Sequence, residues 1–120
     1  MAVHGQAVSD VLFEYYKEFQ QYGMFGDVLL GLRQRKVIED DEFKEYIQKS
    51  RKEQVLFLVD KIPTGGDNAF RALLESISEK DETFAKKLLE SMEKKDPAFA
   101  RTLRNGMDKL IPHNIRHQES

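Results

Sequence analysis

Apolar residues recur along this chain at steps of three and four, and the stripes they form predict a succession of amphipathic helices. Val8, Leu12, Tyr15, Phe19 and Tyr22 mark the first. Ser9 is its expected N-cap, Asp10 sits in the positive first turn, Val8 staples against Phe13, and Gly23 is the stop. Phe25, Val28, Leu29 and Leu32 mark a second helix from Gly26 or Asp27 to about Arg35, after which Val37 and Ile38 close onto the core. Asp40 or Asp41 caps a short third helix with Phe43, Tyr46 and Ile47 facing inward.

The centre of the pattern is Val55 to Val59, five consecutive apolar residues that leave no polar face and so predict a segment surrounded by protein. Such a run could also be a buried strand. The flanks, Arg51 to Gln54 before and Asp60 and Lys61 after, extend it to helical length without a turn signal. Pro63 is expected to end this fourth helix, Gly65 and Gly66 to supply positive φ, and Asp67 or Asn68 to cap the fifth. Phe70, Leu73, Leu74 and Ile77 then follow helical spacing to about Glu79, which makes a tight helix hairpin. A sixth helix starts after Asp81, with Phe84, Ala85, Leu88, Leu89 and Met92 on one side. Asp81, Phe84, Ala85, Leu88 and Met92 recur fifteen places later as Asp96, Phe99, Ala100, Leu103 and Met107. One copy is too few for a solenoid. Asp96 followed by Pro97 predicts a seventh helix reaching about Leu110 and stopped by Pro112.

The expected organisation is a flexible N-terminus over 1–7, a helical bundle over 8–92, an additional C-terminal helix over 96–111 packed on the same domain, and a disordered tail over 112–120. A chain of 120 residues can bury a real core without staples, and none are supplied. The absence of Cys excludes thiol catalysis, thiolate zinc sites and disulfides, and fits a reducing compartment. Charged residues make up 33% and nearly cancel at net −2, so overall charge does not drive the chain onto nucleic acid or anionic membrane. No apolar run approaches the roughly 18 residues of a membrane span, and the start lacks the basic and apolar regions of a signal peptide. A cytoplasmic, soluble protein is expected.

The run Val55 to Ile62, then Pro63-Thr64-Gly65-Gly66, then Ala69-Phe70 and Leu73, resembles the fourth and fifth helices of caspase recruitment domains (CARDs). Upstream, Leu29, Leu30 and Leu32, then Val37-Ile38, an acidic cap, and Phe43 with Ile47 look like that family's second and third helices; Ala85 and Leu88 sit where its sixth is expected. The resemblance covers roughly Val8 to Glu90. It implies an all-α, six-helix antiparallel death fold, here with an extra C-terminal helix, acting through homotypic CARD–CARD contacts as an adaptor or recruitment domain in apoptotic or innate-immune signalling. The implied partner is another CARD-containing protein, a caspase, adaptor or sensor, or a second copy of the chain. Two departures stand out. The family's usual basic residues on the first helix are reduced to Lys17, and the seventh helix is an addition. The death effector and pyrin families share the six-helix architecture, but Gly65-Gly66 and Ala69-Phe70 favour the recruitment domain. A stand-alone decoy inhibitor, and a structural or regulatory bundle without signalling role, are the alternatives.

Charge is segregated. Asp27, Glu39, Asp40, Asp41, Glu42 and Glu45 form a candidate acidic patch, and Lys17, Lys49, Arg51 and Lys52 a candidate basic one. The resemblance implies that the acidic face of one copy docks the basic face of another. The simpler reading of the acids is a solvated helix N-terminus favoured by the macrodipole. No catalytic constellation is visible, so an enzyme, a small-molecule substrate and a cofactor are not expected. His113 and His117 have the i, i+4 spacing of metal ligands, but two ligands in a polar tail do not make a site. Gly65-Gly66 lacks the Lys of a phosphate loop. Lys86, Lys87, Lys94, Lys95, Arg101, Arg104 and Lys109 suggest a basic groove for nucleic acid, which Glu90, Glu93, Asp96 and Asp108 interrupt.

Overall fold

The first of the expected stripes is built as two helices. In the computed structural model, which describes residues 4–107, α1 spans Gly5–Glu14 and α2 spans Tyr16–Gln21. Tyr15 breaks the rod between them at φ −104° and ψ 21°, yet its N–H still reaches the Val11 carbonyl and its carbonyl accepts from Phe19. The remaining helices are α3 (Phe25–Gln34), α4 (Asp40–Tyr46), α5 (Arg51–Thr64), α6 (Asp67–Ser78), α7 (Glu82–Lys95) and α8 (Pro97–Met107). The described residues are thus all-helical, as the stripes require, and no helix among them is long and apolar enough to cross a membrane.

One hydrophobic core joins the elements. Helix α6 packs against α3, α5, α7 and α8, and α1 against α5 and α7. Phe19, Phe25, Phe70 and Phe99 are completely buried, one each from α2, α3, α6 and α8. Helices α3 and α6 approach so closely that a Cβ on Gly31 would lie 2.5 Å from the Ser76 hydroxyl. Arg35 locks the same pair: its guanidinium donates to Glu75 at 3.3 Å and to Glu79 at 2.7 Å.

Two helix starts depart from expectation here, α1 through a tertiary contact and α4 through a local cap. Helix α1 begins at Gly5, so Ser9 lies in its interior and caps nothing; Phe13 is 59% exposed and staples nothing onto the core. Residues 4–7, expected to be flexible, are the cap and first turn of α1, and residues 1–3 lie outside the described residues. The anchor is His4, whose ring stacks on Phe99 at 4.2 Å and whose Nδ1 is 2.6 Å from the Asp96 carboxylate. Helix α4 is capped by Glu39, ahead of Asp40 and Asp41, and the Glu42 carboxylate accepts the Glu39 N–H at 2.9 Å. Its three inward residues divide: Phe43 and Tyr46 are half-buried, while Ile47 stays 38% exposed, α4 packing mainly against α3 and α5.

Helix α5 runs past Pro63 to Thr64. Pro63 adds no N–H, and the last-turn carbonyls find other donors: Gly65 N–H reaches Ile62 and the Thr64 hydroxyl reaches Lys61. Of the two turn glycines only Gly66 takes positive φ, 81°, and it is itself the N-cap of α6 in place of Asp67 or Asn68. Gly65 is needed for space, since a Cβ there would lie 2.7 Å from that of Ala69. Nor is the Val55 to Val59 segment surrounded. Five residues exceed one helical turn, and Leu56 emerges 47% exposed on the side that α1, α2, α4 and α6 leave open.

At the other end of the chain the echo is structural. Asp81 and Asp96 share φ −152° with ψ 86° and 81°, and their carboxylates accept the N–H of Phe84 and Phe99 at 3.0 and 3.1 Å. Both phenylalanines are buried. The expected extension of α8 to residue 111, its stop at Pro112 and the tail lie outside the described residues.

One backbone conformation is strained. Lys36 adopts φ 64° where α3 ends, while its N–H bonds Arg33 and the N–H of Val37 bonds Leu32, the paired bonds of a Schellman cap. An L side chain costs about 1–2 kcal/mol in this region. Lys36→Gly is therefore expected to raise stability by about 1 kcal/mol, part of the relief being offset by the freer unfolded chain. It should appear as a higher urea midpoint at unchanged slope; a lower midpoint would mean the lysine side chain contributes more than its strain costs.

Candidate interaction surfaces

The acidic candidates come together around α3 and α4, but half of them already have partners. Asp40 lies 3.4 Å from Arg33, Glu42 accepts from Lys61 at 3.0 Å, and Glu45 is 3.9 Å from Lys49 one turn on. The Glu39 N–H, with Lys61 adding to it, holds the Glu42 carboxyl below its ordinary value against the opposing effect of burial. Asp27, Glu39 and Asp41 are exposed and form no ion pair among the described residues.

The basic candidates do not form one patch. Lys17 lies on α2, and Lys49 is engaged with Glu45 and the Tyr46 ring, 5.7 Å away. Arg51 is turned inward. Its Nη1 donates to the carbonyl oxygens of Gln20 and Tyr22, its Nε to Gln54 at 3.1 Å, and its guanidinium lies 5.1 Å over the Phe25 ring. It therefore joins the start of α5 to the α2–α3 connection, using the donors that a surface role would present to a partner. Gln54, itself buried, continues the seam by donating to the Tyr46 carbonyl at 2.9 Å. Of the four, Lys17 and Lys52 are exposed without an ion pair among the described residues.

Two other features went unrecognised in the sequence. Ser50 is the N-cap of α5, accepting from the Glu53 N–H at 3.2 Å while the Glu53 carboxylate answers Ser50. The Ser-x-x-Glu spacing was the available signal. These bonds hold the Glu53 carboxyl below its ordinary value. The second feature is apolar exposure: Tyr46 and Phe57 stack at 4.0 Å and, with Leu56, line an open hollow of about 320 Å³ edged by Lys49, Glu53 and Asp60. No local pattern distinguishes an exposed Leu56 from its buried neighbours Val55 and Leu58.

The basic residues of the last two helices are broken up by pairing. Lys95 donates to Glu14 at 2.9 Å and Arg104 to Glu93 at 3.2 Å. Ser91 donates to the same Glu14, and its hydroxyl is the leading cause that the carboxyl is held below its ordinary value. At the start of α8 the Phe99 N–H, aided by His4, holds the Asp96 carboxyl down likewise. No cluster of three or more metal-ligating side chains occurs among the described residues, and His113, His117 and Lys109 lie outside them. Compared with family models, curated proteins and solved structures, the chain matches none.

Proposed function

We propose that this chain is a protein-interaction domain of the caspase recruitment kind, a death-fold bundle that associates homotypically with another such domain or with itself. Its role is that of a cytoplasmic adaptor or recruitment module in apoptotic or innate-immune signalling. The observation that carries the reading is the α5–α6 hairpin within its helix order. Ile62, Ala69 and Phe70 are buried on either side of the Gly65-Gly66 turn, at the heart of the core. When α1 and α2 count as one rod broken at Tyr15, six helices run to the end of α7, and α8 is the addition. Of the two candidate patches, the acids Asp27, Glu39 and Asp41 and the bases Lys17 and Lys52 are exposed without an ion pair among the described residues and are free to meet a partner.

A second reading, a structural or regulatory bundle, draws support from the inward Arg51 and from the charges already paired within the molecule. Molar mass by light scattering across concentration and salt, with titration against a panel of purified recruitment domains, separates the two. Association weakened by salt and reduced about tenfold by Asp41→Lys is the expected result. A chain that stays monomeric throughout and binds no domain of the panel would leave the bundle reading standing.

A further inference from the structure

We infer that a second copy of this chain docks the exposed ridge at Asp10, Phe13 and Lys17 along the ridge at Lys52, Leu56 and Asp60 of α5, with the Phe13 ring against Leu56. The inference rests on the homotypic reading above and names the contact through which it acts. Phe13 and Leu56 are the two most exposed large apolar residues described, at 59% and 47%. Each lies between an acid and a base. Asp10 precedes Phe13 by three residues and Lys17 follows by four; Lys52 precedes Leu56 by four and Asp60 follows by four. That spacing places Lys52, Leu56 and Asp60 on one face of α5. The first set crosses the break at Tyr15, where the bonds from Tyr15 N–H to Val11 and from Phe19 N–H to Tyr15 keep the helical turn.

The order of charge is opposite on the two ridges. One runs acid, apolar, base and the other base, apolar, acid, so parallel docking sets Asp10 against Lys52 and Lys17 against Asp60. At the helical rise the charged ends are roughly 10 Å apart on the first ridge and roughly 12 Å on the second, within the reach of lysine side chains. All four charged residues are exposed, and none has an ion-pair partner among the described residues, unlike Asp40, Glu42 and Glu45. The hollow that Leu56 shares with Tyr46 and Phe57 gives the Phe13 ring an aromatic and aliphatic floor. The two bases, Lys17 and Lys52, thus meet acids of α5 and α1 in this contact, which leaves Asp27, Glu39 and Asp41 to a second one. Because ridge and receiving surface lie on different helices, the contact either closes as a twofold dimer with two copies of the pairing or repeats along a chain of molecules.

Sedimentation equilibrium of the full chain tests this with wild type, Phe13→Ala, Asp10→Lys, Lys52→Glu and the double variant Asp10→Lys/Lys52→Glu. Each single change should lower the association constant about tenfold or more, and the double variant should recover to within about threefold of wild type. All the substituted side chains are exposed, so thermal melts should coincide, and the charge exchange remains decisive should Phe13→Ala fold poorly. Wild type monomeric at every concentration would overturn the inference, as would a double variant as weak as the singles combined. Association abolished by Asp41→Lys but indifferent to Phe13→Ala and Asp10→Lys would overturn it while leaving homotypic association intact.

Discussion

Arg51→Glu is expected to cost the protein about 3 kcal/mol or more of stability, an effect on the fold itself. The guanidinium supplies donors to the carbonyl oxygens of Gln20 and Tyr22 and to the Gln54 side chain, and covers the face of Phe25. Hydrogen bonds from a charged donor are worth about 1.5–3 kcal/mol each, and the cation over the ring adds about 0.5–1 kcal/mol. A glutamate leaves those carbonyls without their donor and directs a carboxylate at them. The free energies of the separate bonds do not add, because one side chain makes them all, so the expected loss lies below their sum. Urea unfolding reads the loss as a lower midpoint. Lys52→Glu, one residue on and exposed, should stay within about 0.5 kcal/mol of wild type. Equal, small effects at both positions would mean that the Arg51 head group sits in solvent.

The contrast between these neighbours marks the limit of what charge in a sequence reveals. Arg51 and Lys52 are equivalent as letters, and a basic pair at a helix start reads as surface. Arg51 turns inward because the last turn of α2 and the α2–α3 connection bring two backbone carbonyls beside it, some thirty residues earlier in the chain, a proximity that exists only after folding. The stripes fared better. Val28, Leu29 and Leu32, then Phe70, Leu73, Leu74 and Ile77, then Phe84, Ala85, Leu88, Leu89 and Met92 are all buried, because helical periodicity and burial on one face are the same constraint. Periodicity says less where the whole segment is apolar. The Val55 to Val59 run gave no face to choose, and which residue emerges was decided by how many helices surround α5. The charge patches were legible as clusters and not as surfaces. Whether Glu42 faces a partner or Lys61 depends on a side chain nineteen residues away.

Residues at the chain start show the same division. Nothing near His4 signals a helix, and its stacking partner Phe99 and hydrogen-bond partner Asp96 come from the far end of the described chain. The repeat beginning at Asp81 and again at Asp96 was legible, down to a backbone geometry that recurs within 5° of ψ. What the repeat alone did not disclose is where its second copy packs. Phe84 meets Tyr15, Phe19 and Tyr22, whereas Phe99 meets His4 and Phe70.

That difference makes α8 a member of the core, with a measurable consequence. Phe99 is 1% exposed between α6 and the N-terminal turn, and Phe99→Ala is expected to remove about 3–5 kcal/mol, the usual cost of emptying a buried phenylalanine site. Against the 5–15 kcal/mol that typical domains possess, that is a large share. The loss should reach the other end of the chain. With the ring gone His4 loses its stacking surface, and the first turn of α1, which begins with the Val8 N–H bonded to the His4 carbonyl, loses its anchor. Amide exchange at Val8 and its neighbours should therefore accelerate more than the drop in global stability accounts for, while Arg101→Ala on the exposed side of α8 leaves both unchanged. A Phe99→Ala protein that unfolds at the wild-type urea midpoint would make α8 a cover laid over a finished bundle. A single cooperative transition at a much lower midpoint is what a shared core requires, because α6 then packs on α8 for its own stability as much as α8 packs on α6.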